Sequence, residues 1–317
     1  MKHVTILALE DAALNCVDSS YQVITRINDF LRYQGKPPFY TVEVAGCTSF
    51  GHGLYSINPA RPLEEISSTD VVIVPITCGA FPVTVEANRK FIPWISSRHH
   101  EGAEIVSCCV GSFFLASTGL LDDRQCAIHW AARQEFQSMY PRVRLVDDRL
   151  ITDENGIYTC GGAYSFLNLL LYLIEKHLGR DMSILAAKMF EIDIDRKSQN
   201  PFVIFMGQKG HGDEGVLSAQ LFIERNYTER IDVSQVCTLA GVGRRTLERR
   251  FKGCTGNTIV EYIQRVKVEA AKKELESSRK TINEIVYSLG YDDTDTFRGL
   301  FKRITGLSPL DYRRKYA

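Results

Sequence analysis

A pair of cysteines, Cys108 and Cys109, stands where a strand predicted over residues 104–108 meets a stretch with helical spacing. A cysteine at such a turn faces a helix N-terminus, whose partial positive charge favours the thiolate. Gly111 permits the close turn that exposes a nucleophile in an α/β fold. His129 follows Cys109 by 20 residues and is a candidate base for the thiol. These residue types match cysteine-dependent hydrolysis or hydration.

The neighbours of Cys109 argue against that chemistry. Val110 follows the cysteine and offers neither a base nor a hydroxyl. A nucleophile without a positioned base lacks the groups that acyl transfer normally needs. Cys109 fits a small buried core residue or a pocket residue, and His129 fits a structural histidine beside Trp130. We therefore expect no catalytic residues, and the enzyme stays as the competing hypothesis.

A second candidate site lies on a helix predicted over residues 244–252. At 100° per residue, Leu247 and Phe251 share one face and are expected to be buried. The opposite face then presents Arg245 and Arg249, whose guanidinium groups can bind guanine edges or phosphates. A solvated helix face is the alternative, and a second copy of the module and its basic charge favour nucleic-acid binding.

That second copy follows at a spacing of 50 residues. Residues 251–258 are echoed by residues 301–308, and the segment 239–242 by 288–291. Each copy is an apolar helix, a glycine-containing turn and a second amphipathic helix, which is the helix-turn-helix pattern. Asp295 and Gly299 occupy the places of Arg245 and Arg249, so we expect the first copy to supply most base readout and the second to position the protein on the backbone. The predicted DNA-contacting residues are Arg244, Arg245, Glu248, Arg249, Lys252, Asp295, Thr296, Arg298 and Lys302.

Two domains of different class must position these sites. Strands predicted over 4–9, 40–45, 71–76, 104–108 and 156–160 alternate with helices predicted over 12–31, 83–97, 111–118, 130–139 and 163–178. This alternation predicts an α/β domain with a flavodoxin-like, doubly wound parallel sheet. An all-α domain with two helix-turn-helix units follows. The predicted bounds are 1–205 for the first domain, 206–216 for a glycine-rich linker and 217–317 for the second domain.

Composition excludes several protein classes. The chain has 317 residues, is 44% hydrophobic and 24% charged, and can bury two cores, so whole-chain disorder is excluded. Its net charge of zero hides a split, because residues 221–317 carry 19 basic and 13 acidic side chains. The nine cysteines have no CxxC spacing and no export signal precedes them, which predicts reduced thiols in a cytoplasm and no metal site. No apolar run is long enough to span a bilayer.

The last third of the chain resembles the AraC/XylS-type DNA-binding domain. The resemblance rests on residues 265–271 of a linking helix, 285–291 before the second turn, 301–309 and 312–314. It implies two recognition helices in successive major-groove segments. Base-contacting positions of that family fall on Arg245, Glu248, Arg249, Asp295, Thr296 and Gly299. Gly299 departs from the basic residue often found there.

The first 190 residues resemble the ThiJ/PfpI class of the glutamine-amidotransferase-like superfamily, through residues 104–116 and the glycines opening a helix after residue 160. The resemblance implies Cys109 at a nucleophile elbow. The acidic position usual in that class falls at Cys16, with Asn15 and Asp18 nearby, and Thr77-Cys78-Gly79-Ala80 replaces the usual glycine pair. The effector crevice that it implies would include Cys16, Cys78, Gly79, Cys109, Val110 and His129.

The combination of the two parts resembles GlxA-type transcriptional regulators. We therefore expect a cytoplasmic, sequence-specific DNA-binding regulator whose first domain senses a small effector without catalysis. The expected partners are double-stranded DNA, a small effector such as a nitrogenous metabolite, a second copy of the chain and RNA polymerase. No cofactor and no membrane are expected. The alternative is a cysteine-dependent hydrolase or hydratase with a DNA-binding tail.

Overall fold

The structure is a computed structural model that describes residues 1–46, 50–52, 55–146 and 149–317. Contacts divide these residues into two compact units, Met1–Gln199 and Asn200–Ala317. Cys47 lies outside the described residues, and the other eight cysteines are free thiols. No helix of the described residues is long and apolar enough to cross a membrane.

The first unit is built on a mostly parallel sheet. The strands of this sheet and of two small two-stranded sheets are β1 Lys2–Leu7, β2 Tyr40–Gly46, β3 Phe50–His52, β4 Tyr55–Ile57, β5 Arg61–Pro62, β6 Val71–Val74, β7 Glu104–Ser107, β8 Gln125–Cys126, β9 Arg144–Leu145, β10 Ile151–Glu154 and β11 Ile157–Cys160. Among the described residues the main sheet has seven strands in the order β10-β11-β7-β6-β1-β2-β5, and β10 pairs antiparallel at its edge. Every side chain of β6 is fully buried, as its unbroken Val/Ile run predicts for a strand covered on both faces. The predicted flavodoxin-like architecture is confirmed.

Helices flank this sheet at α1 Leu14–Tyr33, α2 Phe81–Ala87, α3 Phe91–His100, α4 Gly111–Ala116, α5 Arg133–Met139, α6 Phe166–Leu178 and α7 Arg180–Met189. The single helix predicted over 83–97 is wrong, because the chain breaks between α2 and α3. Pro93 would lack the N–H needed in the interior of one long helix, whereas the restart at Phe91 places it in the first turn. The buried Asn88 side chain fixes the break, accepting from the Glu10 amide at 2.7 Å and donating to the Thr84 carbonyl at 2.8 Å.

The second unit is helical and has two separate apolar cores. Its helices are α8 Glu214–Arg225, α9 Val233–Ala240, α10 Arg244–Thr255, α11 Ile259–Ser277, α12 Ile282–Ser288, α13 Thr294–Thr305 and α14 Pro309–Tyr316. The first core packs α8, α9 and α10 against the start of α11 at Ile259 and Tyr262. The second packs α12, α13 and α14 against the later part of α11, at Val268, Ala271 and Leu275. We call these two groups the first and the second reading unit.

The sequence repeat is reproduced in the hydrogen bonds that end α10 and α13. The buried hydroxyl of Thr255 donates to the Phe251 carbonyl at 2.7 Å, and that of Thr305 donates to the Phe301 carbonyl at 2.8 Å. Each helix then stops at a glycine with a φ of +70° or +77°, a conformation that favours glycine over L side chains. The two reading units are therefore copies in structure as well as in sequence.

Residues of the predicted linker contact the helical unit. The Gln220 side chain donates to the Gln208 carbonyl at 2.9 Å, and a Cβ on Gly207 would lie 2.5 Å from the Tyr262 hydroxyl. Asp213 caps the N-terminus of α8. Along the chain, the boundary between the two compact units falls between residues 199 and 200, slightly before the predicted end of the first domain at residue 205. The predicted domain bounds stay a prediction.

Candidate functional site

Helix α10 turns its apolar side chains inward and its arginines outward. Leu247 and Phe251 are fully buried in the first core, which confirms the orientation predicted from their spacing. Arg245 and Arg249 are exposed, and neither makes a hydrogen bond or an ion pair with another residue that the structure describes. Two unpaired guanidinium groups on one face are free to bind an external acceptor.

The turn before α10 sets this direction. Asp232 and Gln235 form a capping box at the start of α9. The helix ends at Gly241, whose φ of +64° reverses the chain, and α10 starts at Arg244. Arg244 pairs with Glu248 at 2.9 Å along the exposed surface of α10, so these two predicted contact residues are engaged with each other.

A groove of about 520 Å³ runs beside this face of α10. Its wall carries three basic side chains, Arg245, Arg249 and Lys252, and one acidic side chain, Glu248. Val233 and residues 258–260 at the start of α11 complete the lining. The groove is therefore cationic on the side where the unpaired guanidinium groups lie.

Helix α13 has the same packing and a different charge. Phe297 and Phe301 are buried, while Asp295, Thr296, Arg298, Gly299 and Lys302 are exposed. Asp293 caps the helix by accepting from the amides of Asp295 and Thr296 at 3.1 and 3.0 Å. Arg298 pairs with Asp295 at 3.2 Å. The leading turn of α13 is acidic where that of α10 is basic.

The two helices also differ on the side that meets the rest of their reading unit. Arg250 of α10 binds both carboxylate oxygens of Asp213, at 2.7 and 2.5 Å. The hydrogen bonds from Arg250 lower the pKa of Asp213 to about 2. At the matching position α13 has Leu300, which is buried in the second core. Sequence reasoning missed this ion pair because its acidic member lies in the predicted linker.

In the first unit, Cys109 occupies a strained turn between β7 and α4. Its φ is +53°, in the left-handed region that non-glycine residues rarely adopt. A Cβ on Gly111 would lie 2.4 Å from the Pro75 carbonyl oxygen, so only glycine fits this close approach. The thiol is buried, and burial raises its pKa to about 12 despite hydrogen bonds from the backbone of Val110 and His129. The elbow geometry is present, but the thiol stays protonated near neutral pH.

His129 does not offer its ring as an evident base for Cys109. Its Nδ1 accepts a hydrogen bond from the Ala131 amide at 3.1 Å, and its ring lies 5.3 Å from that of Trp130. Burial lowers the pKa of the imidazole. The structural interpretation of His129, as a helix cap beside Trp130, fits these contacts.

The remaining crevice residues lie near the carboxyl ends of β1 and β6. The Cys16 thiol is buried and accepts from the Ile76 amide at 3.5 Å, whereas Cys78 is exposed. Burial and the nearby charge of Asp11 raise the pKa of the Cys78 thiol. The Asp11 carboxylate lies against Gly79, since a Cβ there would be 2.4 Å from its Oδ2. The sequence reading looked for an acidic group near Cys16 and missed Asp11, although it stands soon after the first strand.

Two family models match separate parts of the chain. Residues 38–176 match the model of the DJ-1/PfpI family, and residues 236–315 match a helix-turn-helix domain model. The first match includes the Cys109 elbow, and the second includes helices α10 to α13 with parts of α9 and α14.

Several similar curated proteins are named as HTH-type transcriptional regulators. The chain is 24% identical over 277 residues to the HTH-type transcriptional regulator GbdR of Pseudomonas aeruginosa, covering 87% of this chain and 74% of that protein. It is 27% identical over 218 residues to the HTH-type transcriptional regulator GlxA of Rhizobium meliloti, covering 68% of this chain and 66% of that protein. A crystal structure of a putative transcriptional regulator from Vibrio parahaemolyticus shares the fold of the first unit, with a TM-score of 0.54 and 20% identity over 59% of this chain and 98% of that one.

Proposed function

We propose that the parts of the chain have different tasks in base readout, positioning on DNA and effector sensing. The chain joins a DJ-1/PfpI domain to an AraC-type helix-turn-helix domain and is a DNA-binding transcription regulator. Helix α10 reads most of the base sequence. The observation that carries this proposal is the pair Arg245 and Arg249, exposed and unpaired while Leu247 and Phe251 anchor the helix.

In this proposal α10 enters the major groove with its arginine face toward the base edges. A guanidinium group donates two parallel hydrogen bonds, which match O6 and N7 of guanine. Lys252 and Arg244 border that face and are suited to the flanking phosphates. Glu248, held by Arg244 at 2.9 Å, keeps one carboxylate close to the bases, where it disfavours some of them by repulsion.

Helix α13 positions the protein rather than reading the sequence. Its leading turn carries Asp295 beside the capping residue Asp293, and carboxylates are repelled by phosphates. Arg298 and Lys302, further along the exposed face, supply the cations for backbone contacts. Thr296, with a hydroxyl bonded to the Asp293 carboxylate, contributes at most a weak base contact.

The first unit senses a small effector without catalysing a reaction. The effector crevice that we propose comprises Cys16, Cys78, Gly79, Cys109, Val110 and His129, near the carboxyl ends of the strands, where open α/β sheets bind ligands. The protonated Cys109 thiol and the engaged His129 ring support binding over turnover. A nitrogenous metabolite is the effector class that we propose, and its differential affinity for two states of the protein would switch the regulator.

Assembly and location complete the proposal. A homodimer suits repeated half-sites in an operator, RNA polymerase is the partner that a transcription regulator addresses, and the DNA target lies in the cytoplasm. None of these partners requires a metal, and the described residues contain no group of three or more His, Cys, Asp or Glu side chains placed to hold one.

Two measurements with the full chain test the proposal. Duplexes selected from a random pool should bind with an affinity that falls steeply as salt rises, because phosphate neutralisation releases counterions. Thermal-shift screening against amines, amino acids and quaternary ammonium compounds should give a specific increase in the melting temperature. A flat salt dependence would contradict the DNA-binding half. A metabolite that is chemically converted on incubation would contradict the non-catalytic half.

A further inference from the structure

A buried ammonium group lies where the two reading units contact each other, a region that we call the seam. Lys267 lies in α11 between Tyr262, the last α11 residue buried in the first core, and Val268, the first one buried in the second. Its side chain is almost fully buried. A lysine is rarely buried to this degree without dedicated partners, so its contacts identify its role.

The partners of Lys267 come from both reading units. Its Nζ donates to the Glu229 carbonyl at 2.9 Å, in the loop between α8 and α9 of the first reading unit. It also donates to the Leu289 carbonyl at 2.8 Å, at the C-terminus of α12 in the second reading unit. The ammonium lies 5.0 Å from the centre of the Tyr291 ring, close enough for a cation–π contact. One cation therefore bonds the turn of one unit to a loop of the other.

The same seam has a close backbone contact. Gly290 follows Leu289 with a φ of +71°, and a Cβ on it would lie 2.6 Å from the Thr228 carbonyl oxygen. The turn of the second reading unit thus approaches the α8–α9 loop to a distance that only glycine permits. Arg303 of α13 adds a hydrogen bond to the Gln264 side chain of α11 at 3.0 Å.

We propose that Lys267 is a positioning residue that holds α10 and α13 at one fixed relative orientation, so that both contact DNA as a single preformed surface. This inference rests on the proposed DNA-binding function. Preorganisation removes the cost of ordering the second reading unit at the moment of binding. Without the ammonium, the Glu229 and Leu289 carbonyls lose their shared donor and the seam can open.

The chain offers a matched control in Lys272, five residues further along α11. This lysine is buried to a similar extent, and its Nζ donates to the Val203 carbonyl at 2.5 Å and to Glu269 at 2.7 Å. These bonds do not join the two reading units. A Lys272→Met variant therefore removes a buried ammonium from the same helix and leaves the seam intact.

The test measures orientation first and DNA binding second. Spin labels are attached through an unnatural amino acid at the exposed positions Leu221 in α8 and Leu310 in α14. They report the distance between the two reading units in the full chain. The distance distribution should be narrow in the parent and in Lys272→Met, broad in Lys267→Met, and narrow again in Lys267→Arg, which can donate to both carbonyls. Affinity of Lys267→Met for duplexes selected by the parent protein should fall roughly tenfold.

A distribution in Lys267→Met as narrow as that of the parent would overturn the inference. If Lys267→Met does not fold, Gly290→Ala, which forces a Cβ against Thr228, must broaden the distribution, and a narrow one would overturn the inference equally. A parent protein that binds no selected duplex would instead overturn the proposed function, with its distance distribution still reporting on the seam.

Discussion

The two reading units pack alike and present different charges. In each, two large apolar side chains four residues apart anchor the second helix, Leu247 with Phe251 and Phe297 with Phe301. On the outward face, the first reading unit has Arg245 and Arg249 where the second reading unit has Asp295 and Gly299. The core positions determine the fold of both copies, whereas the outward positions are free to differ. The two copies therefore share a fold and differ in the charge of their outward faces.

The largest effect should follow from removing the arginines of α10. Arg245→Ala and Arg249→Ala should each reduce discrimination between selected and scrambled duplexes by roughly 1–3 kcal/mol, because each removes a bidentate contact to a base. Competition titrations at one salt concentration measure this difference. Arg225→Ala in α8 removes the same charge from a helix outside the groove and serves as the control. If Arg245→Ala, Arg249→Ala and the Arg225→Ala control all discriminate equally well between the duplexes, base readout by α10 is contradicted.

Introducing an arginine into α13 should add a contact with DNA. A Cβ at Gly299 meets no atom within 4 Å, and an interior helical glycine costs about 1 kcal/mol relative to alanine. Gly299→Arg should therefore keep the fold, tighten DNA binding and steepen the salt dependence by about one ion. A salt titration measures the slope, with Gly299→Ala as the control for helix propensity. An unchanged slope would place α13 away from the duplex.

Arg298→Ala and Lys302→Ala should have a smaller and uniform effect. Each should weaken binding to all duplexes alike and reduce the salt slope by about one, because a phosphate contact carries no base preference. Binding to selected and scrambled duplexes, measured in parallel, separates this result from base readout. If either variant discriminates less well between selected and scrambled duplexes, the second reading unit also contacts bases.

A substitution at Cys109 should leave DNA binding unchanged. Because burial raises its pKa to about 12, the thiol should resist alkylation near neutral pH, and the exposed Cys78 should be modified roughly tenfold faster or more. Mass-spectrometric mapping after brief iodoacetamide treatment measures the order. Cys109→Ser should bind selected duplexes like the parent. Rapid modification of Cys109 would instead favour the enzyme hypothesis.

The smallest effect concerns the Asp213–Arg250 pair, whose arginine has the buried Leu300 as its counterpart in the second reading unit. The pKa of Asp213 is lowered to about 2, so the pair contributes stability above the ordinary aspartate pKa near 4, and that contribution is lost as the pH falls toward 2. Asp213→Asn keeps the helix cap and removes the charge. Its melting temperature should be a few degrees lower at pH 7 and equal to the parent near pH 2. A constant difference across this range would assign the effect to packing.

Local patterns allowed the sheet, the two helix-turn-helix units and the outward arginines to be predicted, because each depends on residues close together in the chain. The spacing of Leu247 and Phe251 is enough to orient α10. The two partners of Lys267 lie 38 and 22 residues away and the partner of Arg250 lies 37 residues away, and no local pattern indicates them. The sequence alone leaves the protonation of Cys109 open for a related reason: the helix N-terminus is visible in the sequence, but the degree of burial that outweighs it is not.

Methylation interference on a selected duplex tests most directly whether α10 reads guanine. Methyl groups on guanine N7 should block binding of the parent protein at one or two positions, since they occupy the acceptor that an arginine uses. Arg245→Ala or Arg249→Ala should each make one of these positions indifferent to methylation. The same interference pattern in the parent and in both variants would contradict the assignment of base readout to α10.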